Sequence, residues 1–486
     1  MSQAAAYLMR AVRPPVLLGL LGRLLLTLAA LAAIPALVSL AHGDSPLTWR
    51  LAAMSALLCG VGWPLARLHR GADIQWNEAL AITGLAFVMA PLVMVWPLVG
   101  IGIAPIDAWF ESVSGVTTTG LTTLRGMAER PADFLFLRAW MQWYGGLGIA
   151  ALTVALIMRH HAGARLLLET TGESLSEAGA REHARRVFVV YAALTLIAVA
   201  AAWASGLAPF PALAHGLAAV ATGGFAISDQ NIAPLPPAAV AVLSLVCVAA
   251  AISLPLYARL PRQGPRALLG EPEVRALFIA ILTTSAMLAA ITATHGDFAW
   301  RSAVADALVL GVSAQTDTGF STTDVAALPP AAQLVLMVSM AIGGCTGSTA
   351  GGIKLIRLLI LLRLIQVALQ RTATSERAVL DVRVGGDRVE PDMIASALQL
   401  LGLWALVLLL SWLIFLAQGQ PPMASLFEVV SATSNAGLSA GLTGPDMAPI
   451  LKLVLTADML FGRVEILALL VVLYPPTWIG RRRASP

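Results

Sequence analysis

Four short stretches of this chain each end in a glycine followed by a bulky apolar residue. They are Thr118-Thr119-Gly120-Leu121, Thr222-Gly223-Gly224-Phe225, Asp317-Thr318-Gly319-Phe320 and Asn435-Ala436-Gly437-Leu438. Successive glycines are 104, 95 and 118 residues apart, and a small residue (Ser114, Ala218, Ser313 or Ser431) stands six positions before each. The chemistry on offer is that of the backbone. Glycine admits φ values that aim successive carbonyls one way, and rings of carbonyls can replace the water around a bare cation. One Thr-Thr-Gly says little, because glycine in apolar sequence is usually a close-packing site. Four copies at one position of a repeated pattern are hard to explain as packing.

A second stretch, Gly343-Gly344-Cys345-Thr346-Gly347-Ser348-Thr349-Ala350-Gly351-Gly352-Ile353-Lys354, interrupts an apolar run from about 331 to 371. As one helix that run would be about 60 Å long, so the glycines argue for a break at membrane depth. Irregular backbone is tolerated there only against protein or a cavity. The break reads either as a flexible gate beneath the carbonyls or as a close helix crossing. It is no phosphate loop, because Ile353 stands where the lysine would be required. Intramembrane charge marks function by default. Arg463 falls inside the last apolar run with Glu465 nearby, and Lys354 directly follows the break. Arg463 could bond carbonyls of the break and hold it shut, or pair with Glu465 or with a group on another helix. Glu111 and Glu428 stand nine residues before their glycines, where His215 also falls, and read as anchors for loop backbone rather than as ion ligands.

The elements that must position these residues follow from hydropathy. Apolar residues make up 58% of the chain and charged ones 12%, with mean hydropathy +0.81. Soluble domains carry about 25% charged residues, so this is a membrane protein. Net charge is only +4, which gives no case for nucleic acid, and Cys59, Cys247 and Cys345 form neither a disulfide framework nor a zinc spacing. The run from Val16 to Leu40 follows Arg10 and Arg13 but is too long for a signal peptide, and reads as a retained first span. Spans are expected at 16–41, 46–66, 78–103, 133–158, 184–206, 236–258, 274–294, 331–371 (broken), 394–417 and 449–473. Short helices are expected at 107–117, 210–221, 301–314 and 422–433, each just before its glycine loop. A dozen residues cannot cross about 30 Å of hydrocarbon, but they can dip in and return.

This is the pattern of an all-α integral membrane protein: four pseudo-repeats of transmembrane helix, re-entrant helix, filter loop and transmembrane helix around a central pore, after two N-terminal transmembrane helices. The expected divisions are 1–77 for the N-terminal pair, 78–165, 166–262, 263–375 with the glycine-rich loop, and 376–486 with the tail. Of 31 Lys and Arg, 23 fall in segments that this topology makes cytoplasmic. That bias places both termini inside and the glycine loops outside.

These motifs, together with Phe461–Leu467 as FGRVEIL, resemble the TrkH/KtrB/HKT superfamily of potassium transporters, closest to its TrkH-type bacterial members. The resemblance covers about residues 78–474, and GGCTGSTAGGIK is its most specific part. It implies potassium uptake across a bacterial inner membrane, with K+ as the bound and transported ion and no organic cofactor. It implies a homodimer in lipid, regulated by a cytosolic TrkA-like nucleotide-binding ring. It implies a gate at 343–352, held by the arginine matching Arg463. The alternative it leaves is a Na+- or H+-coupled symporter of the same fold. Gly223 and Ala436 depart from the threonine found in the other loops.

Overall fold

The computed structural model describes residues 11–43, 46–68, 74–160, 177–295, 300–375, 380–463 and 467–478. The described residues are mostly helical; a two-residue hairpin, Arg383–Val384 against Asp387–Arg388, is the one β pairing among them. Five helices there are long and apolar enough to cross a membrane: Pro14–Ala41, Asn77–Val99, Ala184–Ala204, Pro272–Thr294 and Pro391–Ala417.

The short helices form where the sequence places them, at Pro105–Val116, Pro209–Val220, Trp300–Gln315 and Pro422–Ser434. Proline opens three of them, its missing N–H falling where no helical partner exists anyway. Each is followed by a glycine loop and a further helix, beginning at Ala132, Pro237, Pro330 and Pro449.

Two expected spans are not continuous helices. The run 331–371 divides into Pro330–Ile342 and Leu355–Ala373, as the glycines require. The run 236–258 stays helical only over Pro237–Ala250, turns, and resumes as Leu254–Tyr257. Fourteen residues span about 21 Å, less than the hydrocarbon. The turn exists because the Ala250 and Ala251 carbonyls are released from the helix to accept bonds from the glycine-rich loop, Thr349 N at 3.3 Å and Cys345 N at 3.0 Å. The run 449–473 is helical over Pro449–Arg463 and Leu467–Leu473; residues 464–466, Glu465 among them, lie outside the described residues.

The N-terminal pair packs on the first glycine-loop unit. Gly22 and Gly62 let its two helices approach until a Cβ on Gly62 would stand 2.9 Å from the Gly22 carbonyl oxygen, the small-residue contact typical of membrane helices. Trp140 Nε1 donates to Leu31 O at 2.9 Å and Ser39 Oγ to Asp133 Oδ2 at 2.6 Å, joining this pair to the helix Ala132–His160.

Candidate functional site: a ring of four glycine loops

Each short helix ends in the same way. The residue two before the glycine has left-handed backbone: Thr118 at φ +54°, Thr222 at +50°, Asp317 at +51° and Asn435 at +57°. The next residue donates its N–H five residues back into the helix: Thr119 to Ser114 O at 2.9 Å, Gly223 to Ala218 O at 2.8 Å, Thr318 to Ser313 O at 3.0 Å and Ala436 to Ser431 O at 2.9 Å. This is the Schellman end, which satisfies last-turn carbonyls and normally puts glycine at the left-handed position. Here two threonines and an aspartate occupy it, and for a β-branched residue that conformation is an outlier. The small residue six before each glycine is the acceptor of this bond. The glycine is then left-handed too, at φ +93°, +70°, +85° and +83° for Gly120, Gly224, Gly319 and Gly437.

The four loops close on one another in chain order. A Cβ built on Gly120 would strike the carbonyl oxygen of Gly223 and lie 3.3 Å from Cα of Gly224. One on Gly224 would strike Thr318 O, 3.1 Å from Cα of Gly319. One on Gly319 would stand 2.6 Å from Ala436 O, and one on Gly437 would strike Thr119 O and lie 3.3 Å from Cα of Gly120. Four carbonyls, each from the residue before a glycine, thus meet around one axis. No side chain beyond hydrogen fits at the glycines. The helix C-termini stop three to four residues short of the glycines, so their negative ends face the ring.

The apolar residues after the glycines point away from the ring. Leu121, Phe225, Phe320 and Leu438 are buried in the surrounding cores, where they wedge each loop in place. On one side the ring opens to a cavity of about 400 Å³ lined by Gly120, Thr122, Arg125, Gly224, Asp229 and Thr443 among others.

The bracing behind the backbone differs from loop to loop. Ser114 Oγ accepts from Gly120 N at 3.0 Å and donates to Leu121 O at 2.6 Å. Hydroxyl pairs Thr117–Thr119 and Thr316–Thr318, at 2.8 and 2.7 Å, stiffen the first and third loops. Glu111 accepts from Thr123 N at 3.0 Å. Glu428 accepts from Ala440 N at 2.9 Å and Thr443 Oγ1 at 2.6 Å. Both acids therefore hold the segment just after their glycines. In the third loop Leu310 fills the equivalent position, and Asp306, one turn earlier on the same face, accepts from Thr322 Oγ1 at 2.6 Å. His215 in the second helix bonds only Pro211 O, at 2.9 Å through Nδ1; its Nε2 has no partner among the described residues.

Three residues outside the motifs complete the frame. Gln142 donates from Nε2 to Gly223 O and accepts at Oε1 from Phe225 N at 3.1 Å. Its amide fills the space a Cβ on Gly223 would need, which accounts for glycine where other loops have threonine. Buried Arg138 pairs with Glu111 at 3.1 Å, donates to Ala226 O at 3.2 Å and lies 3.8 Å over the Phe225 ring. Lys452 pairs with Asp107 at 2.6 Å, joining the last long helix to the first short one. Spacing gave Gln142 no signal, and Arg138 and Lys452 were visible only as charges in apolar runs.

The glycine-rich segment packs directly beneath the ring. Gly352 N donates to Ser434 O at 2.9 Å, Thr349 Oγ1 to Val220 O at 3.0 Å, and Gln315 Nε2 to Gly343 O at 2.6 Å, so it touches the ends of three short helices. Its two limbs are tied by Ile353 N to Ala341 O, Lys354 N to Ile342 O and Leu355 N to Gly344 O, each 3.0 Å. Ser348 Oγ closes back on Cys345 O at 2.6 Å, and Thr346 N donates to Glu273 Oε2 at 2.6 Å. Lys354 Nζ bonds Ala350 O. Arg463 is buried beside Ala350, Gly351 and Gly352 in a small cavity of about 40 Å³, yet its Nε and Nη2 make no hydrogen bond among the described residues. The expected carbonyl bonds from those two nitrogens are therefore not formed.

The family model for TrkH, a cation transport protein, matches residues 90–475. The chain is 30% identical to the Trk system potassium uptake protein TrkH of Escherichia coli (strain K12), covering 94% of this chain and 98% of that one. It is 32% identical to the protein of the same name from Vibrio parahaemolyticus, over 77% and 80% of the two chains. The crystal structure of the potassium transporter TrkH from Vibrio parahaemolyticus superposes with a TM-score of 0.86 at 28% identity, covering 96% of this chain and 100% of that one.

Proposed function

The chain belongs to the TrkH family of cation transport proteins, and from that premise we propose that it takes up potassium through the ring of glycine loops. The single observation that carries the reading is the closed circuit of contacts Gly120–Gly224–Gly319–Gly437. A dehydrated K+ exchanges its water for carbonyls of Thr119, Gly223, Thr318 and Ala436 and their neighbours. The filter comprises Thr118 to Leu121, Thr222 to Phe225, Asp317 to Phe320 and Asn435 to Leu438. Because the braces differ, the lining is four-fold in backbone but not in side chains.

The segment Gly343–Gly352 is the gate, with Lys354 and Arg463 as its charged flanks. The bonds it makes with Ser434, Val220 and Gln315 support this, since all three stand at the ends of short helices beneath the ring. The divisions 1–77, 78–165, 166–262, 263–375 and 376–486 are the units of this design. Basic segments on the gate side assign that side to the cytoplasm of a bacterial inner membrane. A second copy of the chain and a cytosolic TrkA-like nucleotide-binding ring are the partners that the family resemblance suggests.

The test is growth of a potassium-uptake-deficient strain on low potassium, followed by Rb+ and Na+ flux. Gly120→Ser places a Cβ against Gly223 O and is expected to abolish rescue or reverse Rb+ preference. Unchanged selectivity in that variant rejects the filter assignment.

A further inference from the structure

The ring explains the glycines and the carbonyls beside them, but it leaves Asp317 without a task. Its counterparts Thr118, Thr222 and Asn435 cannot ionise, so this position around the axis holds a single carboxyl group. Asp317 is fully buried, and neither carboxylate oxygen accepts a hydrogen bond among the described residues. A buried carboxylate in that condition is costly unless an opposite charge compensates it. Its Oδ2 faces the glycine-rich segment, where a Cβ on Gly343 would stand 2.8 Å away. The charges acting on it are those of Lys354 and Arg463, and two of the Arg463 nitrogens are themselves unbonded. The three groups thus interact through the low-dielectric interior, where Coulomb forces reach further than in water, without a hydrogen bond that would lock them together.

We infer that Asp317 is a cation site in its own right, on the gate side of the carbonyl ring, where a dehydrated monovalent cation competes with the tethered charges of Arg463 and Lys354 for one carboxylate. The inference rests on reading the ring as the filter. When Asp317 is ionised between the two tethered cations, the trio carries net charge +1 and opposes an ion leaving the ring. Displacing either one, as a rearrangement of the segment that carries Lys354 would do, removes that opposition. Asp317 then offers the ion its next stop. The same carboxylate therefore serves as counter-ion to the closed segment and as ligand on the exit path.

The experiment is recording from the purified full-length chain in planar bilayers, with Ba2+ added on the gate side as a probe of an anionic site. Asp317→Asn is expected to weaken Ba2+ block about tenfold, equivalent to about 1.4 kcal/mol, while Asp317→Glu keeps most of it. Arg463→Gln is expected to strengthen block, because the tethered competitor is gone. Equal block in wild type and Asp317→Asn overturns the inference. Should Asp317→Asn fail to fold, Arg463→Gln decides, and unchanged block in that variant overturns it equally. Potassium preference of the wild type in the same bilayer tests the filter separately. A wild type without it rejects the filter, whereas a selective wild type with unaltered block in Asp317→Asn rejects the Asp317 site alone.

Discussion

The first and second glycine loops reach the same backbone by opposite means. In the first, support comes from its own short helix: Ser114 clamps Gly120 N and Leu121 O, Thr117 bonds Thr119, and Glu111 holds Thr123. In the second, the equivalent residues are Ala218, Ala221 and His215, and none of their side chains hydrogen-bonds the loop among the described residues. Support arrives instead from the helix Ala132–His160, where Gln142 bonds Gly223 and Phe225 and Arg138 covers the Phe225 ring. What the ring requires is its φ pattern. Any donor and acceptor at the right points will hold it, whether they come from six residues away or from eighty.

The largest effect is expected at Arg138. Arg138→Met leaves Glu111 buried without its cation, and removing one partner of a buried pair costs about 3–5 kcal/mol. Folded protein in detergent, measured by size-exclusion fluorescence, is expected to be lost or to melt far below wild type. Next comes Gln142→Leu, which leaves the Gly223 carbonyl and Phe225 N–H unsatisfied at about 1–3 kcal/mol each. Rb+ over Na+ flux is expected to fall about tenfold with the second loop loosened; an unchanged ratio would mean that the backbone holds itself.

Ser114→Ala removes one local brace while Thr117 and Glu111 remain, so a loss of about 1 kcal/mol in thermal stability and a smaller change in selectivity are expected. A selectivity change as large as that of Gln142→Leu would overturn the contrast between local and remote support. The smallest effect has the opposite sign. Thr118→Gly relieves a left-handed β-branched residue, a strain of order 1 kcal/mol, and is expected to raise the melting temperature slightly while making the first loop less rigid.

Legibility follows the same division between near and far. Three of the four short helices were visible because proline marks their starts, and the break at 343–352 because five glycines cannot sustain a helix. Glu111 and Glu428 were readable as anchors because they share one offset from their glycines. Asp306 was visible only as a charge in the third short helix, since it anchors from one turn earlier than that offset predicts. The turn after Ala250 was invisible: its sequence is as apolar as its neighbours, and only the approach of Cys345 and Thr349 opens the helix there.

Composition and spacing alone establish that the chain lives in a membrane, that four glycine loops recur with one offset pattern, and that a glycine-rich break follows the third. Those features reside in composition, periodicity and local backbone preference, which neighbours along the chain settle. The three-dimensional packing shows that the four loops close into one ring in chain order, that Gln142 takes the place of a threonine at Gly223, and that Asp317 faces the glycine-rich segment without a hydrogen-bond partner among the described residues. Each depends on which distant surfaces meet in space, and spacing along one chain does not encode that.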